Sequence, residues 1–461
     1  MDFFITRADI SNTQLWLYNI AMIVYFVYLF WRYRKHNIAT YIIFLFTVGV
    51  FTDLSRLIGF SSNTMMHIYL VISFTWGGRL LNKYGFKSKN SILISFVVYL
   101  LYFVVNSVVI HGDNIPLIVS QSLKYTIPVI TFFVVESYMY GTRGKGVIVL
   151  NHVLKNIILA QIIFCGIKLI VLQATQEGLV GSLTGRDGGG AGTSFPLLCM
   201  LWLGYVTKMK FSKKFFFYVL GFFFIGFMTG KRAVWLLLPV EIIILYLYYK
   251  VKDFSQLLKY IFPAIILGCL FLYAGLRLSP TLNPDKKVGG RFDLEYAYNY
   301  ALTYSGGSET NSGQTEVKEG DGRLGAALLF WNRATNIFDY NQEILVGVGN
   351  EKIKYYDKTK YSDKDANMGV SYRGGVTGVV FMFFISGIVG VILFLSYFFQ
   401  ILLNNRRESI AWIILAVTMF DFVFYNGQIV NNVAMQSMLF LIILICRIGV
   451  LRNKSNKVYE K

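Results

Sequence analysis

KFFFYVLGFFFIGFMTGKRAVWLLLPVEIIILYLYY, residues 214–249, holds two long apolar runs separated by TGKRAVW, Thr229 to Trp235. Each run is close to the length an α-helix needs to cross a hydrocarbon layer about 30 Å thick. The stretch therefore reads as a helical hairpin in a membrane. Its tip poses a question, because Lys231 and Arg232 interrupt chain that is otherwise lipid-soluble.

The pattern extends over the whole chain. Of 461 residues, 55% are hydrophobic, 17% aromatic and only 15% charged. Apolar spans read at about 15–31, 38–52, 64–81, 91–110, 117–140, 152–173, 194–208, 214–229, 234–249, 260–278, 375–400, 410–426 and 433–449. The fold class is all-α: a polytopic membrane protein with about 12–13 transmembrane helices and one large extracytoplasmic loop carrying short helices. The first span, Leu15 to Trp31, is followed by no small-residue cleavage pattern and is read as retained.

A formal charge of +19 invites a nucleic-acid reading until its distribution is followed. The basic segments WRYRK, LNKYGFKSK, TRGK, KMKFSKK, KVKDFSQLLK, NNRR and RNKSNKVYEK fall in alternate connections. By the positive-inside rule these face the cytoplasm and the C-terminus lies inside. The hydrophilic segment 279–374 lies on the opposite side, and its thirteen acidic and twelve basic residues nearly cancel. The basic excess thus marks topology, and no concentrated basic groove points to nucleic acid.

Three regions follow: an N-terminal transmembrane bundle, 1–278; an extracytoplasmic loop with amphipathic helices, 279–374; and C-terminal transmembrane helices with a basic cytoplasmic tail, 375–461. A hydrophilic insert of that length is uncommon unless functional. Within it, RLGAALLFWNRATNIFDY places Leu324, Leu328, Trp331 and Phe338 on one helical stripe, and Phe292, Tyr296 and Tyr300 form a weaker one. SGGSETNSGQTEVKEGDG, residues 305–322, reads as a polar loop. No inverted repeat of the transporter kind stands out.

Cys165, Cys199, Cys269 and Cys446 lie inside spans without paired spacing, and His36, His67, His111 and His152 are scattered. No disulfide framework or metal site is expected from them. LTGRDGGGAGTSF, residues 183–195, is glycine-rich but lacks the GK[ST] ending of a nucleotide loop. It suits a backbone that approaches a ligand closely, with Arg186 beside it.

Arg186, Arg232, Arg277, Arg291, Arg323, Arg333 and Arg373 gather on the side where the topology rule thins cations out. The guanidinium fork matches phosphate oxygens and stays charged. Ordinary roles exist for several: Arg277 as a headgroup anchor, and Arg291, Arg333 and Arg373 as solvating charges. Arg232 differs, because its turn is too short to lift it far into water. A charge at the bilayer centre costs about 2.5–3.5 kcal/mol, less towards the interface, and an anionic ligand offsets that. Lys231 either extends such a phosphate site or snorkels to the headgroups. Of the ionisable residues inside spans, Lys124, Glu136, Lys155, Lys168, Glu241 and Asp421, the outer-half Lys124 and Lys168 are candidates for an anionic cavity.

These motifs resemble the bacterial O-antigen polymerase and O-antigen ligase family. TGKRAVW is similar to that family's T-x-S-R-G-x-W turn, with Lys231 and Ala233 replacing Ser and Gly. GRDGGGAGTSF resembles its earlier Arg-Gly loop, RLGAALLFWNRATNIFDYNQEILVGVGNE its Arg, Trp, Gly-x-Gly segment, and GGVTGVVFMFFISGIVGVILF the helix that follows. Ligases carry a His-Asn pair before that helix, whereas DANMGVSYRGG has Ala366 before Asn367, which favours a polymerase of O-antigen, capsule or exopolysaccharide units.

The resemblance implies a GT-C-like fold in the bacterial cytoplasmic (inner) membrane. It also implies metal-independent glycosyl transfer without a cofactor, using an undecaprenyl-pyrophosphate-linked oligosaccharide at the extracytoplasmic face. Arg232 and Arg323 would stabilise the leaving pyrophosphate, with Asp365 as the candidate base. Arg186, Lys231, Arg333, Arg373, Lys124, Lys168 and Trp331 would bind substrate, and a chain-length regulator would be a protein partner beside the lipid bilayer. A ligase-type transferase and a lipid-linked oligosaccharide flippase are the alternatives.

Overall fold

The computed structural model describes residues 10–60, 62–142, 145–173, 179–185, 190–251, 254–279, 282–304, 307–309, 315–317, 322–335, 341–350, 377–403, 410–425 and 427–459. The first helix, α1 (Asn12–Tyr33), starts at a reciprocal cap in which the Gln14 amide donates to the Ser11 hydroxyl and the Ser11 amide donates to the Gln14 side chain. α2 (Asn37–Leu45) and α3 (Val48–Leu57) form one apolar run bent by 50°. Next come α4 (Ser62–Tyr84), α5 (Asn90–Val105, continued by a π-turn to Ile110), α6 (Ile115–Gly141) and α7 (Gly146–Leu172). The middle of the chain forms α8 (Ala191–Thr207), α9 (Lys213–Met228), α10 (Arg232–Lys250) and α11 (Phe254–Leu278).

Segment 279–374 contributes α12 (Leu294–Tyr304), strands β1 (Gly307–Glu309) and β2 (Thr315–Val317), α13 (Gly322–Thr335) and α14 (Asn341–Val346). The two strands pair antiparallel inside a stretch that the sequence reads as a plain loop. α15 (Gly378–Leu403), α16 (Ile410–Phe424), α17 (Gln428–Asn431) and α18 (Val433–Tyr459) complete the chain.

The architecture is that of a helical multi-pass membrane protein, but the count of full-length spans is lower than the apolar runs suggest. Among the described residues seven helices are long and apolar enough to cross a membrane: α1, α5, α6, α7, α10, α11 and α15. The bent α2–α3 pair makes an eighth if it counts as one span. α8, α16 and the Val433–Arg447 part of α18 are apolar but shorter. α9 has 16 residues, a reach of about 24 Å at the helical rise of 1.5 Å per residue. α4 is long enough, yet it carries His67, Arg79 and Lys83.

One continuous apolar core joins α1 to α18. At its centre Tyr99 meets Tyr125 at 5.7 Å and Phe394 at 5.5 Å, and Phe394 meets Tyr397 at 5.2 Å, so edge-on rings tie α5, α6 and α15. Arg447 of α18 donates to the buried Glu136 of α6 at 2.6 Å and to the Tyr140 hydroxyl at 2.8 Å.

α15 is broken at Gly387, where φ is 63° and ψ −174°. The break frees carbonyls that the helix would otherwise satisfy, and those of Phe384, Ile385 and Ser386 find donors from other segments. The Val348 amide donates to the Phe384 carbonyl at 2.7 Å, and Tyr102 of α5 to that of Ser386 at 2.7 Å. Asn106 spans the carbonyls of Val346 at 2.9 Å and Ile385 at 3.5 Å. Gly347 (φ 75°) brings its backbone against the Phe384 carbonyl, and Gly349 (φ 84°) lies against His111. The Asn350 amide then donates to Asp113 at 2.7 Å. Irregular backbone beside a span is stable where protein groups satisfy it, and here the 344–350 turn and the α15 break satisfy each other.

Candidate functional site

The tip of the α9–α10 hairpin is closed by local geometry. Gly230 adopts φ 65°, its amide donates to Phe227, and the Lys231 amide reaches back to Gly226 at 2.9 Å. This is a Schellman end, which needs a residue free to enter the left-handed region. The Thr229 hydroxyl donates to the Ile225 carbonyl at 2.8 Å. With no spare loop, Arg232 becomes the first residue of α10.

Beneath the turn, the buried Lys168 of α7 donates to the Met228 carbonyl at 3.1 Å. A cation at the C-terminal end of α9 complements that helix's dipole. Lys168 thereby supports the turn from below.

The start of α8 packs against the same turn. A Cβ on Gly192 would collide with the Thr229 side chain and come within 3.1 Å of the Lys231 stem, so glycine sets how closely α8 approaches. The next two residues reach the other side of the bundle. Thr193 shares a 2.9 Å hydrogen bond with the Tyr425 hydroxyl, and the Ser194 hydroxyl donates to Asp421 at 2.7 Å. The second Asp421 oxygen accepts the Ile429 amide at 2.8 Å. Asp421, Ser194 and Thr193 are fully buried and form the floor.

Two guanidinium groups, one beside this floor and one at the hairpin tip, each lie over a tyrosine ring. Arg323 of α13 lies 4.2 Å from the centroid of Tyr425, and Arg232 lies 4.7 Å from that of Tyr300 on α12. A ring face attracts a cation without consuming its N–H donors. Arg323 is within electrostatic reach of Asp421. Its Nε is buried and has no hydrogen-bond partner among the described residues. The first turns of α8 and α10 carry no side-chain cap, so their amide ends add positive potential. The assembly is suited to an anion with several oxygens, such as a diphosphate.

Of the residues singled out from sequence, Lys231 and Arg323 both reach the start of α8, Lys231 against Gly192 and Arg323 through Tyr425 and Thr193; Arg232 adjoins Lys231, and Lys168 lies underneath the turn. Lys124 sits on α6, which packs against α4, α18 and α5 and contributes no residue to the cluster described here. Trp331 of α13 is 64% exposed. Arg333 lies on α13, but its side chain is outside the described residues, as are Arg186, Asp365 and Arg373 altogether. Arg277 has a structural post: it donates to the Gly290 and Gly289 carbonyls, both at 2.9 Å, and to the Tyr273 hydroxyl at 3.0 Å.

Thr193, Ser194 and Tyr425 were not legible as site residues, and Asp421 was legible solely as an ionisable group inside a span. The signal that distinguishes them is contact across more than two hundred residues of chain. Neither a family model nor a curated protein matches the chain.

Proposed function

We propose that this cluster is the pyrophosphate site of a membrane glycosyltransferase that polymerises polyprenyl-pyrophosphate-linked oligosaccharide repeat units. The observation that carries the reading is that consecutive residues at the uncapped start of α8 meet cations from two parts of the chain: Gly192 lies against Thr229 and Lys231, next to Arg232, and Thr193 bonds the Tyr425 whose ring lies under Arg323. The gathering of Arg186, Arg232, Arg277, Arg291, Arg323, Arg333 and Arg373 on the side that the sequence reads as extracytoplasmic, and the resemblance of TGKRAVW to the polymerase turn, support it.

In this reading the bundle is GT-C-like, segment 279–374 is its extracytoplasmic loop, and the site faces outward from the cytoplasmic membrane of a bacterium. A hydroxyl oxygen of one repeat unit forms a bond to the anomeric carbon of a second glycan. The bond from that carbon to the pyrophosphate oxygen breaks, and the carrier departs with one more negative charge. Arg232 and Arg323 stabilise that developing charge, and Lys231 holds the same group in the ground state. The hydroxyl proton passes to a base, for which Asp365 is proposed. Arg186, Arg333, Arg373, Lys124 and Trp331 would orient donor and acceptor. A chain-length regulator acting on the product would be a partner.

The test is genetic and then biochemical. Deletion should leave single unpolymerised repeat units at the cell surface. Units trapped on the cytoplasmic side would instead identify a flippase, and long chains left on the carrier a ligase. With membrane insertion verified, Arg323→Lys and Arg232→Lys should each lower polymerisation about 10²–10³-fold, the usual cost of removing one preorganised donor. Unchanged polymer yield and length in both would overturn the reading.

A further inference from the structure

The opposite end of the bundle holds a second polar feature that the glycan site does not use. A cavity of about 390 Å³ is lined by Asn37 at the start of α2 and by one face of α4: Ile72, Trp76, Arg79, Leu80 and Lys83. Their spacing of four, seven, eight and eleven residues from Ile72 is that of a single helical stripe. Along it the chemistry grades from apolar to cationic over about 16 Å, at 1.5 Å per residue.

Four observations point to an anion at the cationic end. Arg79 and Lys83 are one turn apart on the same face and both exposed, an arrangement of like charges that destabilises a helix unless something neutralises it. Neither takes part in an ion pair among the described residues. The sequence has no Asp or Glu between Asp53 and Asp113, or anywhere along α1 and α2. The first turn of α2 also lacks a side-chain cap at His36.

The apolar end says what carries the anion. Ile68, Val71, Ile72 and Phe74 are exposed on α4, an apolar surface that suits acyl chains better than water. Trp76 is pinned by the rings of Tyr41 at 5.9 Å and Phe44 at 5.6 Å, and tryptophan favours the depth where headgroups begin. A soluble phosphate would not need that wall.

We propose that this cavity binds an anionic glycerophospholipid, its phosphate between Arg79, Lys83 and the α2 amide end, and an acyl chain along Ile72. The site is separate from the arginine cluster and stands whether or not the protein transfers glycans.

The test uses the full-length protein in detergent, equilibrated with mixed vesicles of phosphatidylglycerol and phosphatidylcholine, with retained lipid read by native mass spectrometry. Wild type should retain phosphatidylglycerol over phosphatidylcholine. Arg79→Gln and Lys83→Gln should each weaken retention about 5-fold, matching the ~1 kcal/mol per cation at a membrane surface, and Arg79→Lys should retain it. The two Gln variants remove different cations, so either one keeps the test open if the other fails to insert. Equal retention of both lipids, or no loss in either Gln variant, overturns the proposal. So does displacement by inorganic phosphate at concentrations comparable to the lipid, which would assign the cations to a soluble anion.

Discussion

At the scale of single residues, Tyr425 does two separable things. Its hydroxyl bonds Thr193 at the start of α8, and its ring lies under Arg323. Tyr425→Phe keeps the ring and should leave polymer formation near wild type, losing about 1 kcal/mol of stability with the hydrogen bond. Tyr425→Leu removes the ring face, worth about 0.5–2 kcal/mol to a cation, and should raise the apparent KM for lipid-linked donor by several-fold to tens-fold. Polymerisation assays on membranes carrying each variant, with melting curves in detergent, separate the two effects; equal activity of Phe and Leu would remove the ring from the account. The cations themselves were readable in the sequence, because Lys231 and Arg232 break an apolar run and Arg323 opens an amphipathic helix. Their tyrosine partners were not. With 31 tyrosines in the chain, nothing in local pattern marks the ones whose faces meet an arginine.

At the scale of elements, α15 shows where apolar periodicity stops being informative. GGVTGVVFMFFISGIVGVILF reads as an unbroken span, since Gly387 looks no different from a glycine that lets helices pack closely. What distinguishes it is a left-handed φ and a neighbouring Leu345 carbonyl that leaves no room for a Cβ. The Gly-x-Gly of VGVGN reads from sequence only as part of a resembling segment, whereas in the structure its glycines seat the 344–350 turn, Gly347 on the α15 break and Gly349 on His111 and Asp113. Asn106 is the side chain that bridges both partners. Asn106→Ala removes the 3.5 Å donor from the buried Ile385 carbonyl, while the part-buried Val346 carbonyl keeps the His111 ring nitrogen at 3.1 Å; the loss of about 1 kcal/mol should lower the melting temperature in detergent. Asn106→Gln should not rescue it, because the longer amide overshoots; full stability in the alanine variant would show that the carbonyls find other donors.

At the scale of the whole molecule, the multi-pass helical class follows from composition and run length, and both survive in the structure. The distribution of basic residues carries an orientation, but individual cations within it have further duties. Arg447, at the edge of a basic connection, is the partner of Glu136 on α6, and that pairing joins two helices more than three hundred residues apart in sequence. The span count is less legible, since 16- or 17-residue helices and a bent pair look like full spans when read as runs. The turn at 344–350 ties the chain together differently. Its amides belong to no long helix, yet that of the buried Val348 is bonded to the Phe384 carbonyl at the α15 break, in a turn that Asn106 of α5 also holds. In deuterium exchange the Val348 amide should therefore behave as a member of a slow cooperative unit of the bundle rather than as a loop position, so that the kinetics of one short turn report the integrity of helices drawn from both ends of the sequence.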